Sequence, residues 1–85
     1  MKYQIEILAE ARKQIKKLQK RDLAIVTKKI DMLSEDPRPH GYKKLEYYNE
    51  YFRIHAGRYR VIYQIADVIK IVTIVEVKIR NEKTY

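Results

Sequence analysis

The sequence predicts an α+β fold: an N-terminal strand, a two-helix antiparallel hairpin, then a three- to four-stranded antiparallel meander packed on the helices. Three observations carry that expectation. Apolar residues recur at alternate positions at the start, at three- and four-residue spacing in the next stretch, and in Tyr-, Ile- and Val-rich runs from Lys44 onward. The changes of period mark the element boundaries, and the breaks between the later runs are too short for crossover helices. No internal repeat or low-complexity segment interrupts the pattern, so residues 1–85 read as a single domain.

Tyr3-Gln4-Ile5-Glu6-Ile7 alternates large apolar residues with polar ones and reads as the first strand. Leu8, Ala11, Ile15 and Leu18 then form one apolar stripe, while Arg12, Lys13, Lys16, Lys17 and Lys20 occupy the remaining surface of a helix. Asp22 is the expected N-cap of a second helix, in which Leu23, Val26, Ile30 and Leu33 repeat the spacing. Residues 34–41 hold both prolines and one of the two glycines, which no helix continues through. Strands are expected at 45–48, 51–56, 59–66 and 68–77, with the helices covering one sheet face and the other left partly open.

That open face has a composition of its own. Alternation within Tyr51-Phe52-Arg53-Ile54-His55-Ala56 sends Phe52, Ile54 and Ala56 one way, and Arg53 and His55 the other. If Gly57-Arg58 is a two-residue turn, Ala56 opposes Tyr59, His55 opposes Arg60, Ile54 opposes Val61 and Arg53 opposes Ile62. A three-residue loop would instead put Arg60 among the apolar residues, so the polar grouping favours the even turn. Tyr59 and Tyr63 share the apolar parity and read as packing groups, whereas Tyr47, Tyr48 and Tyr51 could pack, stack on bases or line a partner's groove. Cations gathered on adjacent strands repel one another, which folding alone does not require. Two Arg neighbours would keep the His55 imidazole neutral until a phosphate neutralises the site.

Charge narrows the function classes. Lys and Arg number 19 against 11 Asp and Glu, a formal net charge of +8. That balance favours polyanions, nucleic acid first, because each cation placed on a phosphate releases condensed counterions. Cys is absent and the only His are His40 and His55, so neither a disulfide framework nor a metal centre is expected, and no cofactor. No apolar run approaches the roughly 20 residues of a membrane span, and the first residues meet charge too early for a signal peptide. A cytoplasmic protein with no membrane partner is the expectation.

The opening strand, the helical hairpin, the loop from Pro37 to Gly41 leading into Lys43-Lys44-Leu45, the segment from Phe52 to Tyr63 and the closing Arg80-Asn81-Glu82-Lys83-Thr84-Tyr85 together resemble the RelE/ParE superfamily of toxins from type II toxin–antitoxin pairs. RelE-like members resemble small ribonucleases that enter the ribosomal A site and cut mRNA without a metal; ParE-like members keep the fold and act on DNA gyrase. Arg53, His55, Arg60, Arg80 and Tyr85 match the positions of the RelE-type active site, although lysines often stand where Arg53 and His55 are here. The resemblance therefore implies a ribosome-dependent mRNA endonuclease, with a gyrase inhibitor as the alternative and a catalytically inactive antitoxin-binding member as a third reading.

RNA carries its own nucleophile: a deprotonated 2′-OH attacks the adjacent phosphorus and leaves a 2′,3′-cyclic phosphate and a 5′-OH. The resemblance implies that Arg60 stabilises the transition state, that Arg53 orients the backbone, and that Tyr85 or His55 takes the proton, with His55 or Arg80 assisting the leaving oxygen. It further implies ribosomal RNA contacts from Arg12, Lys13, Lys16, Lys17, Lys20, Arg21, Lys28 and Lys29, and RNA contacts from Lys43, Lys44 and Arg58. The implied partners are a cognate antitoxin, the ribosome with mRNA in its A site, and operator DNA only through the antitoxin complex.

Overall fold

The computed structural model describes residues 2–45 and 50–80. In chain order these form β1 (Gln4–Ile7), α1 (Ala9–Lys16), α2 (Lys20–Glu35), β2 (Lys43–Lys44), β3 (Tyr51–Ala56), β4 (Tyr59–Ala66) and β5 (Ile71–Ile79). The strands make one five-stranded sheet in the order β1-β5-β4-β3-β2. β2 to β5 are antiparallel neighbours, as the short breaks require, while β1 runs parallel to β5 with Ile5 opposite Val72 and Ile7 opposite Ile74. The helical hairpin carries the chain from β1 to β2 at the opposite edge of the sheet, and the meander then returns strand by strand until β5 lies beside β1.

Both helices lie on one face. Ala11 of α1 and Val26, Ile30 and Leu33 of α2 are buried against Ile54, Ala56, Val61, Tyr63, Val72, Ile74 and Val77. Phe52 bridges Tyr42 and Tyr63, with ring centroids 5.8 and 6.0 Å away. The fully buried Tyr63 donates its hydroxyl to the Pro37 carbonyl at 2.7 Å, which ties the proline-rich loop to the core and satisfies both polar groups. The loop is fixed a second time at the surface, where Asp67 accepts two hydrogen bonds from Arg38 and one from the Tyr3 hydroxyl. These donors pull the Asp67 carboxyl down to about 2.

Several boundaries differ from the sequence reading. Asp22 lies inside the first turn of α2 and Gln19 takes the N-cap position; a carboxylate there still favours the helix dipole, which is why the residue type misleads about the cap. Leu8 precedes α1 and is exposed rather than part of its apolar stripe. The strand expected at 45–48 is Lys43–Lys44, and residues 46–49, with Tyr47 and Tyr48, lie outside the described residues. The last strand starts at Ile71, because Lys70 takes a left-handed φ of 57° that ends a turn, and the turn leaves Val68 and Ile69 exposed.

Tyr63→Phe removes one hydroxyl and leaves the Pro37 carbonyl buried without its donor. Urea unfolding should show a loss of about 1–3 kcal/mol, with the far-UV circular dichroism of the folded protein unchanged.

Candidate active site

The site is built by the β3–β4 hairpin. Gly57 opens its two-residue turn at a φ of +62°, and Arg58 follows with an ordinary φ, the backbone sequence of a II′ turn. A side chain at residue 57 would be strained at that φ and would also meet Ile25 at 3.3 Å. The turn sets the register expected from the charge pattern: Ala56 opposite Tyr59, His55 opposite Arg60, Ile54 opposite Val61 and Arg53 opposite Ile62. Arg53, His55 and Arg60 therefore share the sheet face that the helices leave uncovered. Ile62 lies on that face too, and is only 7% exposed between Arg53 and Glu76. It forms an apolar floor beneath long charged side chains.

Two further cations join from the flanking strands. Lys43 of β2 pairs directly with Arg53. Arg80 follows β5, its amide bonded to the Arg58 carbonyl at 2.8 Å and its guanidinium turned toward the Gly57 carbonyl at 3.4 Å. What aims Arg80 at this face is a β-bulge. Val72 and Ile74 are buried against the helices, but the register slips between Ile62 and Tyr63, which pair with Glu76 and Ile74, so Val77 is the next buried residue. Unbroken alternation would have sent residues 76, 78 and 80 toward the helices; the extra residue turns them to the open face. The Gln14 side chain accepts from the Val77 amide beside the bulge, where β1 has ended.

This grouping works against the protonation of its own histidine. Burial first, then the charges of Arg80, Arg53, Arg60 and Lys43, lower the His55 pKa from its usual value. Arg53 Nη1 lies 3.1 Å from His55 Nε2, and a guanidinium only donates, so Nε2 accepts and the imidazole proton sits on Nδ1. Burial, Arg53 and Arg80 likewise hold the Arg60 guanidinium below its ordinary value. Glu76 lies on this face, paired across the strands with Ile62, and is engaged by Lys78 at 3.0 Å. A concentrated positive surface with a neutral imidazole in it is suited to an anion that takes several hydrogen bonds, a phosphodiester above all.

Of the residues singled out from sequence, Arg53, His55, Arg60 and Arg80 come together. Tyr85 lies outside the described residues. Lys43, expected only as an RNA contact, belongs to the cluster itself, and the parity of its strand opposite Arg53 is the signal that would have placed it there. Lys44 pairs with Phe52 and so has the opposite parity. Arg58 is ion-paired with Asp22 of α2 at 2.9 Å. Arg12, Lys13, Lys16, Lys17, Lys20, Arg21 and Lys28 are exposed and Lys29 half-buried, all on the helical layer, across the sheet from the cluster. A depression of about 370 Å³ lined by Arg38, Gln64 and Thr73 sits toward the other end of β4. Among the described residues no group of three or more His, Asp or Glu could hold a metal ion.

Known proteins share this architecture. The family described as the ParE toxin of the type II toxin–antitoxin system parDE matches residues 5–83. A chain of the toxin–antitoxin complex RelBE2 from Mycobacterium tuberculosis is 30% identical, with a TM-score of 0.84 over 94% of this chain and 100% of that one. A chain of the archaeal RelE–RelB complex from Pyrococcus horikoshii is 28% identical, with a TM-score of 0.83 over 96% and 99%. The isolated RelE toxin of E. coli is 26% identical, with a TM-score of 0.78 over 96% and 90%. No curated protein sequence matches.

The electrostatics of His55 are directly measurable. An NMR titration should find its midpoint below about 6.5, the unperturbed value, and Arg80→Ala should raise it, since Arg80 is the charge that lowers it most. The stability link follows in sign: the unfolded chain takes the proton first as pH falls, so this group's contribution is present above the unfolded pKa and is lost as pH drops through the lowered one. A midpoint unmoved in Arg80→Ala would contradict the assignment.

Proposed function

Because the chain belongs to the ParE toxin family of type II toxin–antitoxin systems, within the RelE/ParE superfamily, we propose that it is a ribosome-dependent, metal-independent mRNA endonuclease that cuts in the A site and so stops translation. The observation that carries this reading is the convergence of Arg53, His55, Arg60 and Arg80, with Lys43, on the uncovered sheet face. A surface used only for protein docking has no need of a neutral, hydrogen-bonded imidazole held among four cations.

The chemistry follows from the geometry. The scissile phosphodiester lies across the hairpin, with Arg60 on its non-bridging oxygens, where a planar guanidinium stabilises the added charge of the phosphorane as the 2′-oxygen bonds to phosphorus. Arg53 and Lys43 fix the backbone from the β3 side. An arriving phosphate competes for Arg53 and offsets the positive field, which raises the proton affinity of His55 at the moment the 5′-oxygen needs a proton. Tyr85, by its family position, removes the 2′-proton, helped by the positive field of Arg80.

On this reading the ribosome positions the mRNA for the site. The cations of the helical layer, across the sheet, contact ribosomal RNA on the same reading. A cognate antitoxin is the partner that silences the toxin, as in the RelBE2 and RelE–RelB complexes of its relatives; operator DNA is reached only through that complex. A second reading, inhibition of DNA gyrase without RNA chemistry, draws its support from the ParE description of the matching family.

Arg60→Ala separates the two. In a purified translation system the wild type should produce A-site cuts ending in a 2′,3′-cyclic phosphate and a 5′-OH, only with ribosomes present. The variant should lose about 10²- to 10³-fold in rate, the usual effect of deleting one donor to a transition-state oxyanion. Intact mRNA with wild-type protein, together with inhibited supercoiling by gyrase, would establish the second reading instead.

A further inference from the structure

The bulge that aims Arg80 also brings Lys78 to the same face. Lys78 pairs with Arg60, and Arg60 with His55, so one row of basic side chains, His55–Arg60–Lys78, crosses β3, β4 and β5. Two inter-strand spacings amount to about 9.5 Å, wider than a single phosphate group. Lys78 does not reach across to Arg60, which would set two cations against each other. Its ammonium is drawn along its own strand to Glu76 Oε2 at 3.0 Å, with the two side chains 54% and 28% exposed.

We propose that Lys78 is a second phosphate-binding residue, latched by Glu76 in the free protein and released to the RNA phosphate next to the one that is cut. The proposal rests on the nuclease reading and deepens it: the site takes a stretch of single-stranded RNA across the row rather than one isolated phosphodiester. Three features support it. Lys78 is placed by a bulge, a feature that reorients side chains at the cost of ladder regularity. An ion pair this exposed contributes little to folding and is readily exchanged for a phosphate. Glu76 shares the face of the row, opposite Ile62, and its pairing with Lys78 keeps both charges quiet until substrate arrives.

The test is binding of a short single-stranded RNA whose 2′-O-methyl groups block the nucleophile, measured against salt for wild type, Lys78→Gln, Glu76→Gln and the double variant. Lys78→Gln should flatten the slope of log affinity against log salt by about 0.7, the share of one phosphate contact on a single strand. Glu76→Gln should tighten binding at low salt, and that gain should vanish in the double variant. An unchanged slope in Lys78→Gln overturns the proposal. So does a gain that persists in the double variant, since Glu76 would then act by plain repulsion of RNA. If either occurs while Arg60→Ala still abolishes mRNA cleavage, the nuclease reading stands and only the Lys78 assignment falls; a wild type that neither binds this RNA nor cuts mRNA removes both.

Discussion

The parity of the sheet decides which side chains meet water and which meet the helices, and two local features set it. The two-residue turn at Gly57-Arg58 fixes how β3 faces β4, and the bulge in β5 fixes how the end of the chain faces both. A one-residue error at either place would turn a row of cations into the core and a row of branched apolar residues to solvent. The core enforces the turn from behind, since Ile54, Ala56 and Val61 are buried against α2 and leave Arg53, His55 and Arg60 only the other face. It enforces the bulge in the same way through Val72, Ile74 and Val77. Packing energy on the helical face therefore holds together charges that would otherwise separate.

That division explains how a small domain keeps an electrostatically unfavourable surface. Burial and the cations on neighbouring strands lower the proton affinity of His55 and hold the Arg60 guanidinium below its ordinary value, while Glu76 is bound to Lys78. Elsewhere in the fold the same residue types are neutralised: Arg38 by Asp67, Arg58 by Asp22 and Lys2 by Glu35. Net charge alone does not draw this distinction, because +8 is a sum over the whole chain.

Much of this was legible in the sequence. The hairpin register followed from a single premise, that Arg60 avoids the core, and every pair derived from it is present. The α+β class and the element order were equally visible in the changes of apolar period. The bulge was hidden because 71–75 is apolar except for Thr73, a run in which alternation is too weak to reveal an extra residue; Glu76, standing where Val72 and Ile74 project a buried position, is the trace it leaves. The parallel pairing of β1 with β5 was also out of reach, since it joins the two ends of the chain and no local pattern encodes it. Lys43 was placed among general RNA contacts because its strand is only two residues long, below the length at which periodicity carries information.

An open sheet surface sets its own demand on the partner. Lys43, Arg53, Arg60, Lys78 and Arg80 can grip phosphates, but cations by themselves do not select a base. Affinity from such a face is mostly electrostatic and indifferent to sequence. On the proposed reading, then, the in-line geometry that cleavage needs must come from whatever holds the mRNA, and the toxin contributes charge stabilisation and proton transfer to a substrate already shaped for reaction. On the same reading a basic face gives an antitoxin a way to silence the protein by covering it: acidic side chains laid over the His55–Arg60 row would take the place of a phosphate.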